Sequence, residues 1–315
     1  CFVSCTTLET VGDLSSLKEI PYEAFDGCTS LVSIGDLNNV ESIANEAFSN
    51  CSALEHVDKL DKITSIGQNA FKGCTALKSI GSLHNLETIG QGAFSGCSAL
   101  EHVDDLYSLT RLEYDVFSHC VSLISVDCSD KLTAIGSSAF FGCKALVSIG
   151  DLSNVTSIES SVFRGCIALK SIGNMPKLES IGMQCFMGCT ALETVGDLSS
   201  LKEIPSETFD GCTSLVSIGD LSNVTIIGSY GFNQCKKLTS IPNLGSLESV
   251  NQFAFSGCES LALLGNLRKL TSFGYSPFVN SPFHNCPNLV LEVLPDSAAE
   301  QYAKDYNMQY TYITE

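Results

Sequence analysis

A 23-residue period constrains this sequence more than any other feature. Phenylalanine recurs at that interval, and a cysteine follows three positions after each of these phenylalanines. The in-phase phenylalanines are Phe2, Phe25, Phe48, Phe71, Phe94, Phe117, Phe140, Phe163, Phe186, Phe209, Phe232 and Phe255. A further pair, Phe283 and Cys286, is displaced from this step by an insertion of five. A fixed period of about 20 to 50 residues is typical of repeat architectures, in which each unit packs against its neighbours.

The apolar positions within each repeat come at about every third position, as in Ile20, Phe25, Leu31, Ile34 and Leu37. This spacing fits neither a half-buried strand, which alternates at every second position, nor a long helix with a period of about 3.6 residues. It favours a chain that turns repeatedly around an axis and places a side chain inward at each bend. We therefore predict an α/β solenoid of about 13 coils, each coil being one 23-residue repeat.

Each coil is predicted to carry one strand and one turn on opposite faces. Residues 31–34 and their equivalents should form a short parallel strand, and residues 23–27 should form a helical or 3₁₀ turn. Gly27 and its equivalents end that turn, where a left-handed residue is expected. The exceptions in this column include types that tolerate positive φ, namely Asn50, His119 and Asn285.

The end of the chain departs from the period. Ser297 and Glu300 have the spacing of a capping box, which predicts a short helix over 298–306, and residues 309–313 are predicted to form a final strand. A solenoid needs its last coil covered, and this segment can cover it. We therefore divide the chain into a repeat array at 1–288 and a C-terminal capping segment at 289–315.

The repeat also resembles a known family. Its pattern Ile-Gly-x-x-Ala-Phe-x-Gly-Cys, seen at 66–74 and 89–97, is similar to the BspA-like leucine-rich repeats of bacterial and protozoan surface proteins. The chain departs from that pattern at 35–37, where Gly-Asp-Leu stands and many members carry Leu-Pro or Ile-Pro. The resemblance implies a leucine-rich-repeat fold, an extracellular position at the cell surface, and a role in adhesion or host-protein binding.

Charge and hydropathy exclude several classes of partner. The net charge is −18, with 17 basic against 35 acidic residues. Nucleic-acid binding needs a face rich in Lys and Arg, and an anionic membrane surface would repel this chain for the same reason. No apolar run approaches the roughly 18 residues of a membrane span, so we expect no direct membrane insertion.

The cysteines and histidines do not predict a metal site. Thirteen of the 16 cysteines occur once per coil, and no Cys-x-x-Cys pair is present. We expect them to be buried free thiols that fill the place of leucine. Cys128 lies outside this column, in one that holds Asp36 and Lys59, so we expect it to be exposed and reactive. His56 and His102 lie two coils apart, about 10 Å, too far for one ion to bridge.

No catalytic constellation stands out, and neither an enzyme nor a cofactor is expected. Serines, histidines and aspartates do occur on the predicted strand face, but the serines form a ladder because the coil repeats. A catalytic site needs one arrangement that does not repeat.

The candidate binding site lies where the predicted strand face stops repeating. Most coils carry Ser and Gly there, and three coils carry charged side chains instead. The candidate residues are Glu55, His56, Asp58, Lys78, Glu101, His102, Asp104, Asp105 and Asp127. Lys78 lies between Glu55 and Glu101 in the repeat and is placed to bridge them. We expect this face to be concave and to bind a protein partner, with basic partners favoured by the carboxylates.

Three functions therefore fit the sequence. The favoured one is a non-catalytic protein-binding scaffold, and the alternatives are a passive stalk that presents another domain and a carbohydrate-binding module. The absence of Trp disfavours the carbohydrate-binding module.

Overall fold

The computed structural model describes residues 1–274 and 281–314. It consists of two compact units, unit 1 at Cys1–Asn154 and unit 2 at Val155–Glu315. Both are stacks of coils with short parallel strands, so the predicted solenoid of about 13 coils is confirmed. In the described part of the chain, no helix is long and apolar enough to cross a membrane.

Unit 1 contains strands β1 to β13. Their bounds are β1 Thr10–Val11, β2 Glu19–Ile20, β3 Ser33–Ile34, β4 Ser42–Ile43, β5 His56–Val57, β6 Ser65–Ile66, β7 Ser79–Ile80, β8 Thr88–Ile89, β9 His102–Leu106, β10 Arg111–Leu112, β11 Ser125–Cys128, β12 Ala134–Ile135 and β13 Ser148–Ile149. The odd-numbered strands form one set of parallel ladders, β1-β3-β5-β7 and β9-β11-β13. The even-numbered strands form a second set, β2-β4-β6-β8 and β10-β12.

Each coil thus carries two strands, whereas the sequence predicted one. We call the odd-numbered set the first ladder and the even-numbered set the second ladder. In most strands of both ladders, the outer residue is polar and the inner one apolar, as in Ser33–Ile34 and Ser42–Ile43. A strand of two residues is too short to show the alternation that identifies strands in a sequence, which is why the second ladder was missed.

Unit 2 repeats this arrangement with strands β14 to β26 and one helix. Their bounds are β14 Ser157–Ile158, β15 Ser171–Ile172, β16 Ser180–Ile181, β17 Thr194–Val195, β18 Glu203–Ile204, β19 Ser217–Ile218, β20 Ile226–Ile227, β21 Ser240–Ile241, β22 Ser249–Val250, β23 Leu263–Leu264, β24 Ser272–Phe273, β25 Val290–Val293, α1 Ala298–Asp305 and β26 Gln309–Tyr312. The strand β26 pairs in parallel with β25 and closes the ladder β21-β23-β25-β26.

The opposite side of each coil is a tight turn. The Cys28 N–H donates to the Phe25 carbonyl oxygen at 3.1 Å, the i→i−3 pairing of a 3₁₀ turn, and the Phe25 N–H donates to Ala47 in the next coil at 2.8 Å. Left-handed residues stand at both ends, Glu23 with φ +50° and Gly27 with φ +71°. They prevent the turn from continuing as a helix. The column of Gly27 was predicted to be left-handed, but the column of Glu23 was not.

Two stacked columns, one of phenylalanine and one of cysteine, run through the core. In unit 1 the phenylalanine rings from Phe2 to Phe140 stack with centroids 5.2–5.6 Å apart. The column cysteines are free thiols, buried from Cys28 to Cys258. They donate to phenylalanine carbonyl oxygens of earlier coils, as Cys74 does to Phe48 at 3.1 Å. The column therefore uses cysteine as a hydrogen-bond donor, which leucine cannot be.

The C-terminal segment forms the predicted helix and strand. The Ser297 hydroxyl oxygen accepts from the Glu300 N–H at 3.2 Å and caps α1. The Glu300 residue is only 3% exposed. Its carboxylate accepts hydrogen bonds from the Asp296 N–H at 2.8 Å and the Tyr312 hydroxyl at 2.6 Å, and it pairs with Lys304 at 2.8 Å. One carboxylate thus holds the helix and the final strand together.

We expect acid to release this contact. The hydrogen bond from Lys304, then that from Tyr312, lowers the pKa of Glu300 to about 2, against about 4.3 in an unfolded chain. Ionised Glu300 therefore stabilises the cap fully above about pH 4.3, and this stabilisation is lost as the pH falls towards 2. Near-ultraviolet circular dichroism of the tyrosines should report an acid transition in that window.

The variant Glu300→Gln should remove that transition and weaken the cap already at neutral pH. Asp305→Asn, which changes an exposed carboxylate of the same helix, is the matched control and should keep the transition. The prediction fails if Glu300→Gln and the wild type have the same acid midpoint.

Candidate functional site

The nine candidate residues all lie along the first ladder of unit 1. His56 is in β5, His102, Asp104 and Asp105 are in β9, and Asp127 is in β11. The others flank β5, β7 and β9. We call these nine residues the acidic strand face. Glu55 and Asp105 are half-buried, and the rest are exposed.

In the half of this face around β5, one of the two carboxylates, that of Glu55, is compensated by Lys78. The Lys78 ammonium pairs with the Glu55 carboxylate at 2.9 Å, and this hydrogen bond lowers the pKa of Glu55. No ion pair joins Lys78 to Glu101 among the residues that the structure describes, so the predicted bridge is made on one side only. His56 Nδ1 lies 2.9 Å from the Ser79 hydroxyl of the next coil.

The half around β9 and β11 keeps its negative charge. In the described residues, no lysine or arginine pairs with Asp104, Asp105 or Asp127. Asp105 accepts a hydrogen bond from the Ser82 hydroxyl at 2.7 Å. Tyr107, 46% exposed, stands beside these carboxylates. Partial burial first, then the charges of Asp105, Asp127 and Asp104, raise the pKa of Tyr107. Tyr107 was not a candidate from the sequence, because nothing in its local pattern placed it beside Asp127, which belongs to the next coil.

Two exposed aliphatic side chains continue the same face. Ile124 and Val147 occupy the column of Glu101 in the next two coils and are 39% and 40% exposed. The backbone joins the three coils directly, with the Ile124 N–H donating to Glu101 at 2.8 Å and the Val147 N–H donating to Ile124 at 2.9 Å. Ile124 and Val147 therefore form an exposed apolar patch, which borders the carboxylates that have no lysine or arginine partner among the described residues.

Three of the candidate aspartates occupy a column that glycine otherwise fills in unit 1. At Gly35 a Cβ atom would overlap the Gly12 carbonyl oxygen, so at that coil the backbone leaves no room for a side chain. Where aspartate stands, the path of the backbone differs. Lys59 follows Asp58 with φ +61°, and Asp105 follows Asp104 with φ +68°. At these two coils the aspartate is thus followed by a left-handed residue.

The third aspartate, Asp127, lies at a register shift. Between Val126 and Cys128 the pairing of β11 with β9 slips, so that Cys128 lies opposite Leu106. Leu106 points inward, and Cys128 does the same with 7% exposure. Burial first, then the Asp127 charge, raises the pKa of Cys128 to about 12. The prediction that Cys128 is exposed and reactive is wrong, because a bulge moved it into an inward column.

The chemistry of the face is that of charge and hydrogen bonding. Over the described residues, no three His, Cys, Asp or Glu side chains lie close enough together to hold a metal ion. Besides His56, His102 contacts a serine, with Nδ1 3.1 Å from the Ser125 hydroxyl. These two contacts repeat in register, as expected of a ladder.

Comparison with known proteins agrees with this architecture. A profile of the BspA type leucine rich repeat region (6 copies) matches residues 1–124, 77–193, 110–239 and 179–297. The crystal structure of a leucine-rich repeat protein from Bacteroides ovatus is 27% identical, with a TM-score of 0.70, covering 99% of this chain and 85% of that one.

Two further solved structures are similar at lower scores. A leucine rich cell surface protein from Faecalibacterium prausnitzii is 24% identical, with a TM-score of 0.49, covering 88% of this chain and 87% of its own. A leucine-rich repeat protein from Eubacterium ventriosum is 20% identical, with a TM-score of 0.45, covering 88% and 92%. Among curated proteins, none matches.

Two findings lead to one assignment, namely profile matches that together span 1–297 and a 23-residue repeat with stacked Phe and Cys columns. This chain belongs to the BspA-type leucine-rich-repeat family.

Proposed function

We propose that this chain is a non-catalytic protein-binding scaffold at the cell surface, and that the acidic strand face binds a basic partner. Leucine-rich-repeat scaffolds generally mediate protein–protein contacts through extended surfaces. The observation that carries the proposal is the break in the repeat at β9 and β11. Their length, the left-handed Asp105 and the slipped register together present Asp104 and Asp127 to solvent.

The side chains at and beside this break favour a partner segment that carries both basic and aliphatic residues. Uncompensated carboxylates attract cationic groups over distance and raise the rate of association. Ile124 and Val147 offer apolar area next to Glu101, where an aliphatic side chain can be buried. A partner that alternates Lys or Arg with aliphatic residues satisfies both features.

The histidine–serine contacts support a binding role rather than hydrolysis. A nucleophile needs a base that a third group orients, inside a site that excludes water. Here the carboxylate beside His56 Nε2 is that of Glu55 at 3.9 Å, and Lys78 already holds it. His56 and His102 are both exposed, and the same contact occurs in two coils.

Charge reversal tests the proposal. The probe is a synthetic peptide of alternating lysine and leucine, and its dissociation constant is measured by fluorescence anisotropy at low and physiological ionic strength. The triple variant Glu101→Lys, Asp104→Lys, Asp127→Lys should bind at least about tenfold more weakly, with a flatter dependence on salt.

The matched control is Glu19→Lys, Asp61→Lys, Glu87→Lys, which changes the net charge equally at exposed positions on or near the second ladder. It should retain most of the binding. Equal losses in both variants would show that only net charge matters and would leave the stalk function as the better explanation.

The cell-surface location is the part of the proposal that the family resemblance implies. It is tested by treating intact cells that produce the chain with protease. The chain should be cleaved while a cytoplasmic marker protein survives, and protection of both would contradict the location.

A further inference from the structure

The strand β26 ends the ladder β21-β23-β25-β26 and has one free edge. It pairs in parallel with β25 on one side, and among the described residues no strand pairs with its other side. The Ile313 N–H donates to the Val293 carbonyl oxygen of β25 at 3.0 Å. Because successive residues of a strand direct their backbone groups to opposite edges, Thr311 also bonds towards β25. The N–H and C=O groups of Tyr310 and Tyr312 therefore point away from β25, to the free edge.

The sequence of this edge lacks the residues that usually protect a free strand. Such edges commonly carry lysine, proline or an inward-pointing charge. The segment 309–313 reads Gln-Tyr-Thr-Tyr-Ile and contains neither a charged residue nor a proline. The other described strands of four or more residues, β9, β11 and β25, each carry an aspartate or a glutamate. Since tyrosine, threonine and isoleucine favour extended structure, this edge is suited to accept a further strand.

The free groups are arranged so that a second copy of β26 matches them. When two copies run antiparallel about a two-fold axis at Thr311, Tyr310 of each lies opposite Tyr312 of the other. Each such pair exchanges two backbone hydrogen bonds, so every free N–H and C=O group of the two tyrosines is used. An axis at Tyr310 or at Tyr312 would instead require partners from outside Gln309–Tyr312. Within the bounds of β26, the axis at Thr311 is therefore the one that pairs all of these groups.

The side chains of β26 also suit a symmetric contact. The rings of Tyr310 and Tyr312 have centroids 5.8 Å apart, and Tyr312 is 49% exposed. About the axis at Thr311, each Tyr310 faces a Tyr312 of the other copy, and such aromatic pairs stabilise neighbouring strands. Gln309 and Thr311, which alternate with the tyrosines, are exposed and uncharged. The residues of β26 thus bring no like charges together, although the whole chain has a net charge of −18.

We propose that β26 is a self-association edge, through which two copies of this chain form an antiparallel β-pair about a two-fold axis at Thr311. The contact joins the ladders of the two copies into one sheet. It stops at the dimer, because each copy uses its one free edge of β26. The edge lies in unit 2 and is independent of the acidic strand face, which belongs to unit 1.

Sedimentation equilibrium of the purified chain over a wide range of concentrations tests the proposal. The wild type should show a reversible equilibrium between monomer and dimer. Added salt should shift this equilibrium towards the dimer, because it screens the repulsion between two copies that each carry a net charge of −18. A wild type that stays monomeric at every concentration would overturn the proposal.

Charges introduced at Thr311 locate the axis. Thr311→Glu places two carboxylates there and should weaken the dimer at least about tenfold, whereas the neutral Thr311→Gln should dimerise like the wild type. An equimolar mixture of Thr311→Glu and Thr311→Lys should restore the dimer, since opposite charges then face each other. Thr194→Glu, the same change at an exposed threonine of β17, is the matched control and should not affect dimerisation.

The neighbouring strand requires a check on folding. Thr311 lies opposite Glu292 of β25, so Thr311→Glu adds repulsion within one copy, whereas Thr311→Lys adds attraction. Near-ultraviolet circular dichroism of the tyrosines shows whether the cap of each variant is folded. Thr311→Lys alone should still dimerise more weakly than the wild type. The proposal is overturned if Thr311→Lys dimerises like the wild type, or if the mixture is no more dimeric than the single variants.

Discussion

Replacing Phe71 with alanine is expected to lower the free energy of unfolding by about 3–5 kcal/mol. The side chain is fully buried, and its ring stacks on Phe48 at 5.2 Å and on Phe94 at 5.3 Å. Truncation leaves a cavity in the centre of the coil and removes two ring–ring contacts at once. Urea unfolding followed by circular dichroism measures the loss.

The repeat architecture should confine the destabilisation by Phe71→Ala to a few coils. Because each coil contacts only its neighbours, the variant should unfold locally around the substituted coil. Amide exchange should therefore rise most in the coils that hold Phe48, Phe71 and Phe94. Phe2→Ala is the control, since Phe2 is 46% exposed and stacks on one ring only. Similar losses in the two variants would mean that the phenylalanine column does not carry the stability of the array.

The period, the inward columns and the cap were predictable because each depends on a pattern that repeats or on a local rule. Twelve in-phase phenylalanines all point inward when the chain coils once per period, and in the structure all of them except Phe2 are buried. Ser297 and Glu300 predict α1 through capping, which involves only neighbouring residues. The tyrosine hydroxyl that completes the Glu300 contact comes from β26, and capping rules do not reach that far.

Features that depend on contacts between coils were not predictable. The Cys-to-Phe hydrogen bond joins one coil to another, and it changes the role of the cysteine column from filler to donor. The left-handed column of Glu23 holds many residue types, because contacts with the next coil fix its conformation. The burial of Cys128 follows from a register shift, and an alignment at fixed period cannot show such a shift.

The acidic strand face likewise has some features that the sequence predicted and others that it did not. Its charged residues were visible as a break in the repeat, and the structure places them along one ladder. Of the predicted bridge, Lys78 pairs with Glu55 alone, and among the described residues Asp104 and Asp127 have no lysine or arginine partner, which the sequence did not show. Tyr107 and Ile124 join the face only through stacking of coils.

Glycine substitutions in the first ladder of unit 2 are expected to have opposite effects at two equivalent positions. At Gly219 a Cβ atom would overlap the backbone carbonyl oxygen of Gly196 in the preceding coil. Backbone cannot rotate away as a side chain can, so Gly219→Ala must push two coils apart. We expect a loss of about 1–3 kcal/mol in the free energy of unfolding, the usual range for overpacking.

Gly173, in the same column two coils earlier, is the matched control. A Cβ there would meet no atom within 4 Å. Alanine also restricts the unfolded chain more than glycine does, so Gly173→Ala should leave stability unchanged or raise it by about 0.4–1 kcal/mol. Urea unfolding measures the change in the free energy of unfolding for both variants. If both alanines destabilise alike, glycine is needed in this column for its conformational freedom rather than for the close approach of coils.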